Sequence, residues 1–268
     1  MSAIDRTATK RVPMDSLRKT SLAAGLLYLI TFVSIPTLAL YAQVKGLNYI
    51  VGSGPDTRML IGGALEMIVA LAGIGTAVVL YPVLKRQNEA VALGFVGART
   101  LEAATIFVGV ASLLAVVTLR QTGAGAGALV TGQALVGGYD AMFLIGQSTI
   151  PAVNALLLGY LLYKSRLVPR ALPVLAFIAA PLLLASAAAR VWNIGGTPSK
   201  LWLIAGIPIA IWEFSLGLYL VVKGFKPSPI TAEGFKPNPL TARPSPTAAS
   251  VTVPSLPGGC PEPAVRPV

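Results

Sequence analysis

Six stretches of about 20 or more predominantly apolar residues recur along this chain, and nothing else constrains its fold as strongly. An α-helix rises ~1.5 Å per residue, so about 20 residues cross the ~30 Å hydrocarbon core of a bilayer. The stretches run Ser21–Ala42, Leu60–Leu84, Val91–Leu119, Ala134–Tyr163, Ala171–Trp192 and Leu201–Val222. Lipid offers no water to unpaired N–H and C=O groups, so each stretch is expected to be helical along its length. The fold class that follows is all-α: an integral membrane bundle of six transmembrane helices with a disordered C-terminal tail. A basic tail (residues 1–20) precedes the bundle (21–222), and a Pro-rich tail (223–268) follows it.

Composition agrees and excludes several chemistries. Hydrophobic residues make up 54% of the chain and charged residues 12%, about half the charge of an ordinary soluble domain. The net charge of +11 does not indicate nucleic acid, because the basic residues stand in short blocks between the apolar stretches. There is no histidine, and the single cysteine, Cys260, lies in the Pro-rich tail. Histidine-held haem, zinc clusters of His or Cys, HExxH proteases and Ser-His-Asp triads are therefore out of reach. No cofactor and no metal site is expected, and no catalytic residue is assigned.

The first apolar stretch is too long for the core of a signal peptide and is expected to stay as an uncleaved span. Six residues separate the second and third stretches, which implies an antiparallel hairpin. The Gly-rich segment Gln121–Gln133 has the composition of a flexible linker. If the termini share one side of the bilayer, that side carries 15 Lys and Arg residues and the other carries four: Lys45, Arg58, Arg120 and Lys200. The positive-inside rule then places both termini in the cytoplasm and the protein in the cell (plasma) membrane. In the C-terminal tail, eleven prolines fall within 46 residues, and a ten-residue unit, GFKPSPITAE, is followed at once by GFKPNPLTAR. Such a segment is read as disordered, either as a solvated appendage or as a partner-docking stretch.

Six ionisable residues fall inside the spans: Glu66, Arg99, Glu102, Asp140, Arg190 and Glu213. Each costs about 2.5–3.5 kcal/mol at a span centre, so they are expected to face protein and to pair. Counting depth along the helices gives two layers. Arg99, Glu102 and Glu213 lie near the middle, and Glu66, Asp140 and Arg190 lie nearer the outer surface. Each layer has one arginine for two carboxylates, an excess of one negative charge that a proton, a cation or a small-molecule ligand could balance. Arg99 and Glu102 are three residues apart and share a helix face. Asp140, Gln147 and Asn154 recur at seven-residue spacing, which lays all three along one stripe of a regular helix. Pro151 removes a backbone donor within that stripe and is expected to kink it.

Two functions fit these residues. One is a small permease-like or ligand-sensing protein whose buried carboxylates exchange a proton or cation. The other is a structural or regulatory membrane protein whose charges act as interhelical glue. Enzymatic activity is disfavoured. Tyr139 and Asp140 resemble half of the presenilin signature, yet no GxGD occurs, and Asp140 is the only aspartate in a span. The sequence leaves the oligomeric state open.

Three segments carry a family resemblance: GARTLEA (Gly97–Ala103), LLYKSRLVPRALPVL (Leu161–Leu175) and WEFSLGLYLVVKGF (Trp212–Phe225). They resemble bacterial membrane proteins of the DUF4386 family, over most of residues 14–226. The resemblance implies a multi-pass bacterial inner-membrane protein with an uncleaved first span. It implies no particular activity, and the Pro-rich tail lies outside it.

Overall fold

The computed structural model describes residues 16–192 and 198–232, with side chains for 16–192 and 204–230. Expectations for residues 1–15, 193–197 and 233–268 lie outside the described residues. Among the described residues the chain is helical without strands, and six helices are long and apolar enough to cross a membrane. The spans occupy Ser16–Leu40, Thr57–Leu84, Glu89–Gln121, Ala126–Ser165, Ala171–Val191 and, within the last helix Pro198–Val222, Ile204–Val222. Each packs on the next, and the sixth returns to the first, which closes a ring.

Large apolar side chains face outward: Leu60, Ile68, Leu71 and Val78 on the second span, Leu93, Leu101 and Val108 on the third, Ile207, Ile211 and Leu218 on the sixth. Glu66 and Arg99, within the second and third spans, are buried instead, the reverse of a water-soluble bundle and the arrangement lipid requires. The core is layered. A large cluster around Phe95, Leu158, Leu183, Trp212 and Leu216 fills one end of the ring, and a smaller one around Tyr41, Met59, Leu113 and Tyr139 fills the other. The first and sixth spans meet backbone to backbone. A Cβ on Gly25 would sit 2.7 Å from the carbonyl oxygen of Gly217, so glycine sets their separation.

The structure corrects three expectations about the spans. The first is not one continuous helix. The α-helix Ser16–Ile30 gives way to a 3₁₀ turn, Thr31–Ser34, before a last short turn, Thr37–Leu40. Pro36 cannot donate a backbone hydrogen bond there, and three hydroxyls compete for the chain's carbonyls. Thr31 donates to Tyr28 O (2.6 Å), Ser34 to Thr31 O (3.1 Å) and Thr37 to Ser34 O (2.6 Å).

The Gly-rich linker is also shorter than its composition suggests. Only Thr122–Gly125 is non-helical, with Gly123 and Gly125 at φ 67° and 66°, and helix resumes at Ala126. Ala128, Leu129 and Val130 are helix-competent, so only the two left-handed glycines interrupt.

Finally, the fourth span contains a π turn, Leu144–Thr149, between two α-helical halves. Ile150 N–H bonds Ile145 O, and the Thr149 hydroxyl donates to Leu144 O (3.0 Å). Pro151 has no N–H for the Gln147 carbonyl, which favours this looser turn. Gly146 lets it press against the Thr105 side chain of the third span, where any Cβ would collide.

Candidate functional site

The third span delivers Arg99 to the centre of the ring. Its helix is fixed at its start by Asn88, whose side chain accepts the Val91 N–H (3.1 Å). Only 4% of the Arg99 side chain is exposed, so its guanidinium relies on protein partners. Nη1 donates to Glu102 Oε2 (3.0 Å), and Nη2 donates to Glu213 Oε1 (2.9 Å) and Tyr28 Oη (3.1 Å). Asn154 Nδ2 adds a 2.7 Å bond to the same Glu102 oxygen. One network thus ties the first, third, fourth and sixth spans together.

Its charge does not balance. One guanidinium faces two carboxylates, and among the described residues Glu102 Oε1 and Glu213 Oε2 accept no protein hydrogen bond. Arg99 Nε and Asn154 Oδ1 are buried without a partner as well. Arg99 and the two carboxylates border a cavity of about 180 Å³, which Gln147 also walls, with Thr31 and Ser34 from the broken first span. The breaks in the first and fourth spans are therefore part of the site, because each brings polar side chains to the cavity wall.

The expected outer layer does not form. Glu66, 1% exposed, receives the Tyr139 hydroxyl on Oε1 (2.8 Å), while its Oε2 is buried and unbonded. The buried Tyr41 hydroxyl, whose ring packs edge-on against Tyr139, faces the Glu66 carboxyl, as does the Gln147 side chain. Asp140 instead pairs with Lys45 (2.7 Å), and its side chain is 48% exposed. Arg190 makes no ion pair with either carboxylate among the described residues.

The predicted stripe of Asp140, Gln147 and Asn154 is likewise broken up. A π turn holds an extra residue in its hydrogen-bonded ring, so positions beyond it are displaced around the axis. Asp140 is left at the Lys45 pair, Gln147 reaches the cavity wall, and Asn154 reaches Glu102.

A second polar centre, not foreseen from sequence, secures the loop before the second span. Asp56 receives hydrogen bonds from Tyr49, from Arg120 Nη1 (2.8 Å) and from Gln121 Nε2 (3.0 Å), and Arg120 also donates to Gly54 O. The Tyr49 bond, followed by those from Gln121 and Arg120, holds the Asp56 carboxyl below its usual range, while burial raises the Tyr49 phenol. A depressed carboxyl pKa gives stability that is full above the unfolded value, about 3.9, and is lost as pH falls through the folded value. Limited proteolysis of this loop should therefore accelerate in acid for the wild type, whereas Asp56→Asn should be cleaved readily at every pH. Equal, pH-independent cleavage of both proteins would contradict the role of Asp56.

Tyr28 and Tyr139 were also missed as partners, because a lone tyrosine in an apolar helix carries no local sign of the charge it will meet. The broken first span did leave a signal, Thr31, Ser34 and Pro36 within six residues.

A closed ring of apolar helices around a buried arginine and two carboxylates defines a multi-pass helical membrane protein. Residues 23–224 match the family described as "Domain of unknown function (DUF4386)", and the chain belongs to that family. Comparison with the curated proteins and with the solved structures gives no match.

Proposed function

We propose that this is a small permease-like or ligand-sensing protein of the bacterial cell membrane, in which Glu102 and Glu213 take up a proton or a small cation. The observation carrying this reading is the pair of carboxylate oxygens, one on each residue, left without protein donors beside the same cavity. A carboxylate held out of water next to another carboxylate favours any species that cancels the excess charge. Arg99 keeps a fixed positive charge and neutralises one carboxylate, so the site takes one positive charge at a time. The Thr31 and Ser34 hydroxyls and the Gln147 amide supply neutral oxygen ligands of the kind a partly dehydrated cation needs. The Lys/Arg asymmetry supports cytoplasmic termini.

The test is proton release from the purified protein on addition of sodium, potassium or tetramethylammonium, read with a pH indicator in detergent and in liposomes. Wild type is expected to release protons as a cation enters, and Glu102→Gln and Glu213→Gln are expected to abolish the release. Interhelical glue is the second reading, favoured by the bonds that join four spans through Arg99 and Glu102. Identical proton release in all three proteins would support it, and would refute the exchange site.

A further inference from the structure

The start of the C-terminal tail departs from the disorder expected from residue 223 onward: on the cytoplasmic side of the proposed topology, residues 223–232 turn back from the last span and dock on the chain's own loops, because Phe225 and Ile230 find apolar cover there. Gly224 makes the turn at φ 76°, a conformation suited to glycine. Arg18, from the start of the first span, donates to the terminal carbonyls of Leu220 (3.0 Å) and Val221 (2.5 Å). Lys226 N–H then bonds Leu167 O (2.8 Å), and the buried Ser228 hydroxyl donates to Ser165 O (2.5 Å). Phe225 and Ile230 pack against the core cluster that contains Leu167 and Val168, and Arg86 reaches Ile230 O (3.4 Å). The cradle is built from the second–third and fourth–fifth loops, and its occupant is Gly224–Ala232, the described part of the first copy of the ten-residue duplication, whose sequence runs to Glu233.

Every docking group recurs ten residues later. Phe225 has its counterpart in Phe235, the Lys226 N–H in that of Lys236, and Ile230 in Leu240, a side chain of the same volume. Ser228 corresponds to Asn238, whose amide can also donate to a carbonyl. Both copies place proline on either side of that donor, at 227 and 229 and again at 237 and 239, which biases each segment to the extended form before it binds. The copies differ in charge only at the end, Glu233 against Arg243. Arg86, in the cradle, and Lys85 beside it favour the acidic copy.

We propose that the cradle is a docking site for the motif Gly-Phe-Lys-Pro-x-Pro-x-Thr-Ala, and that Gly234–Arg243 is its second occupant, exchanging with the first copy on the same chain. Exchange in cis needs only that residues 223–233 loop out, and the closure penalty of so short a loop is small. The first copy dominates because its tether is shortest and its charge complementary. The second fills the cradle whenever the first is withdrawn.

Photo-cross-linking of the full chain in nanodiscs tests this, with a benzophenone side chain at position 225 or at position 235 and mass-spectrometric mapping of the products. Position 225 should react with the 165–168 loop strongly, and position 235 weakly. In Ser228→Ala/Ile230→Ala, the product from 235 should rise several-fold and remain within one chain. If that variant does not fold, the charge swap Glu233→Arg/Arg243→Glu, which alters none of the described docking bonds, should raise the 235 product instead. No product from 235 in any background would overturn the proposal, and so would a product found only between differently tagged chains.

Discussion

Replacing Arg99 with leucine should destabilise the folded bundle by about 3–5 kcal/mol, the effect of removing one partner from a buried ion pair. The substitution strands two carboxylates, whose side chains are 13% and 17% exposed, with no positive charge between them. It also removes the donors that hold Tyr28 and Glu213 from two other spans. Thermal unfolding in detergent would register the loss as a large fall in midpoint and in the yield of monodisperse protein. The triple variant Arg99→Leu/Glu102→Gln/Glu213→Gln should recover much of it, because no buried charge then remains uncompensated. A single variant as stable as wild type would mean that the centre is far wetter than its burial indicates.

Neutralising the carboxylates should be strongly non-additive. Glu102→Gln or Glu213→Gln alone leaves one carboxylate for one guanidinium, a balanced pair, so either variant should be nearly as stable as wild type. The double variant leaves Arg99 buried with no counter-charge and should lose about 3–5 kcal/mol. Such a cycle carries a coupling far beyond the few tenths expected of independent sites. The same comparison of unfolding midpoints separates charge from shape, because glutamine keeps the size and most of the hydrogen-bonding capacity of glutamate. Additive losses would show that the two carboxylates do not share Arg99 as their counter-charge.

Parts of this site were legible in the sequence. Arg99 and Glu102 sit three apart in an apolar run, and Glu213 lies at similar depth, so their convergence followed from the expense of leaving charge in lipid. Asn154 also joined them, although the stripe used to predict its direction does not exist. The outer layer failed for a different reason. Depth along a helix says nothing about direction around the ring, and Glu66 turned to Tyr139 while Asp140 turned to Lys45. Lys45 had been counted only as a charge outside the membrane. The Asp56 cluster was out of reach because Tyr49 and Asp56, in the loop before the second span, meet Arg120, at the end of the third, only when the spans have packed.

The sequence by itself determined the number of spans, their approximate limits and the inward placement of charge. These depend on local hydropathy and on the penalty lipid imposes on any unpaired polar group, whatever the neighbours are. Tertiary structure alone decided the partners of the other charges and the shape of the cavity. Both rest on the order of helices around the ring, on the π turn at Leu144–Thr149 that displaces the residues beyond it, and on the break at Thr31–Ser34 that brings hydroxyls to the cavity. Each balances a few backbone hydrogen bonds against packing with a distant segment, as where Gly146 meets Thr105, and no local window of sequence contains both sides of that balance.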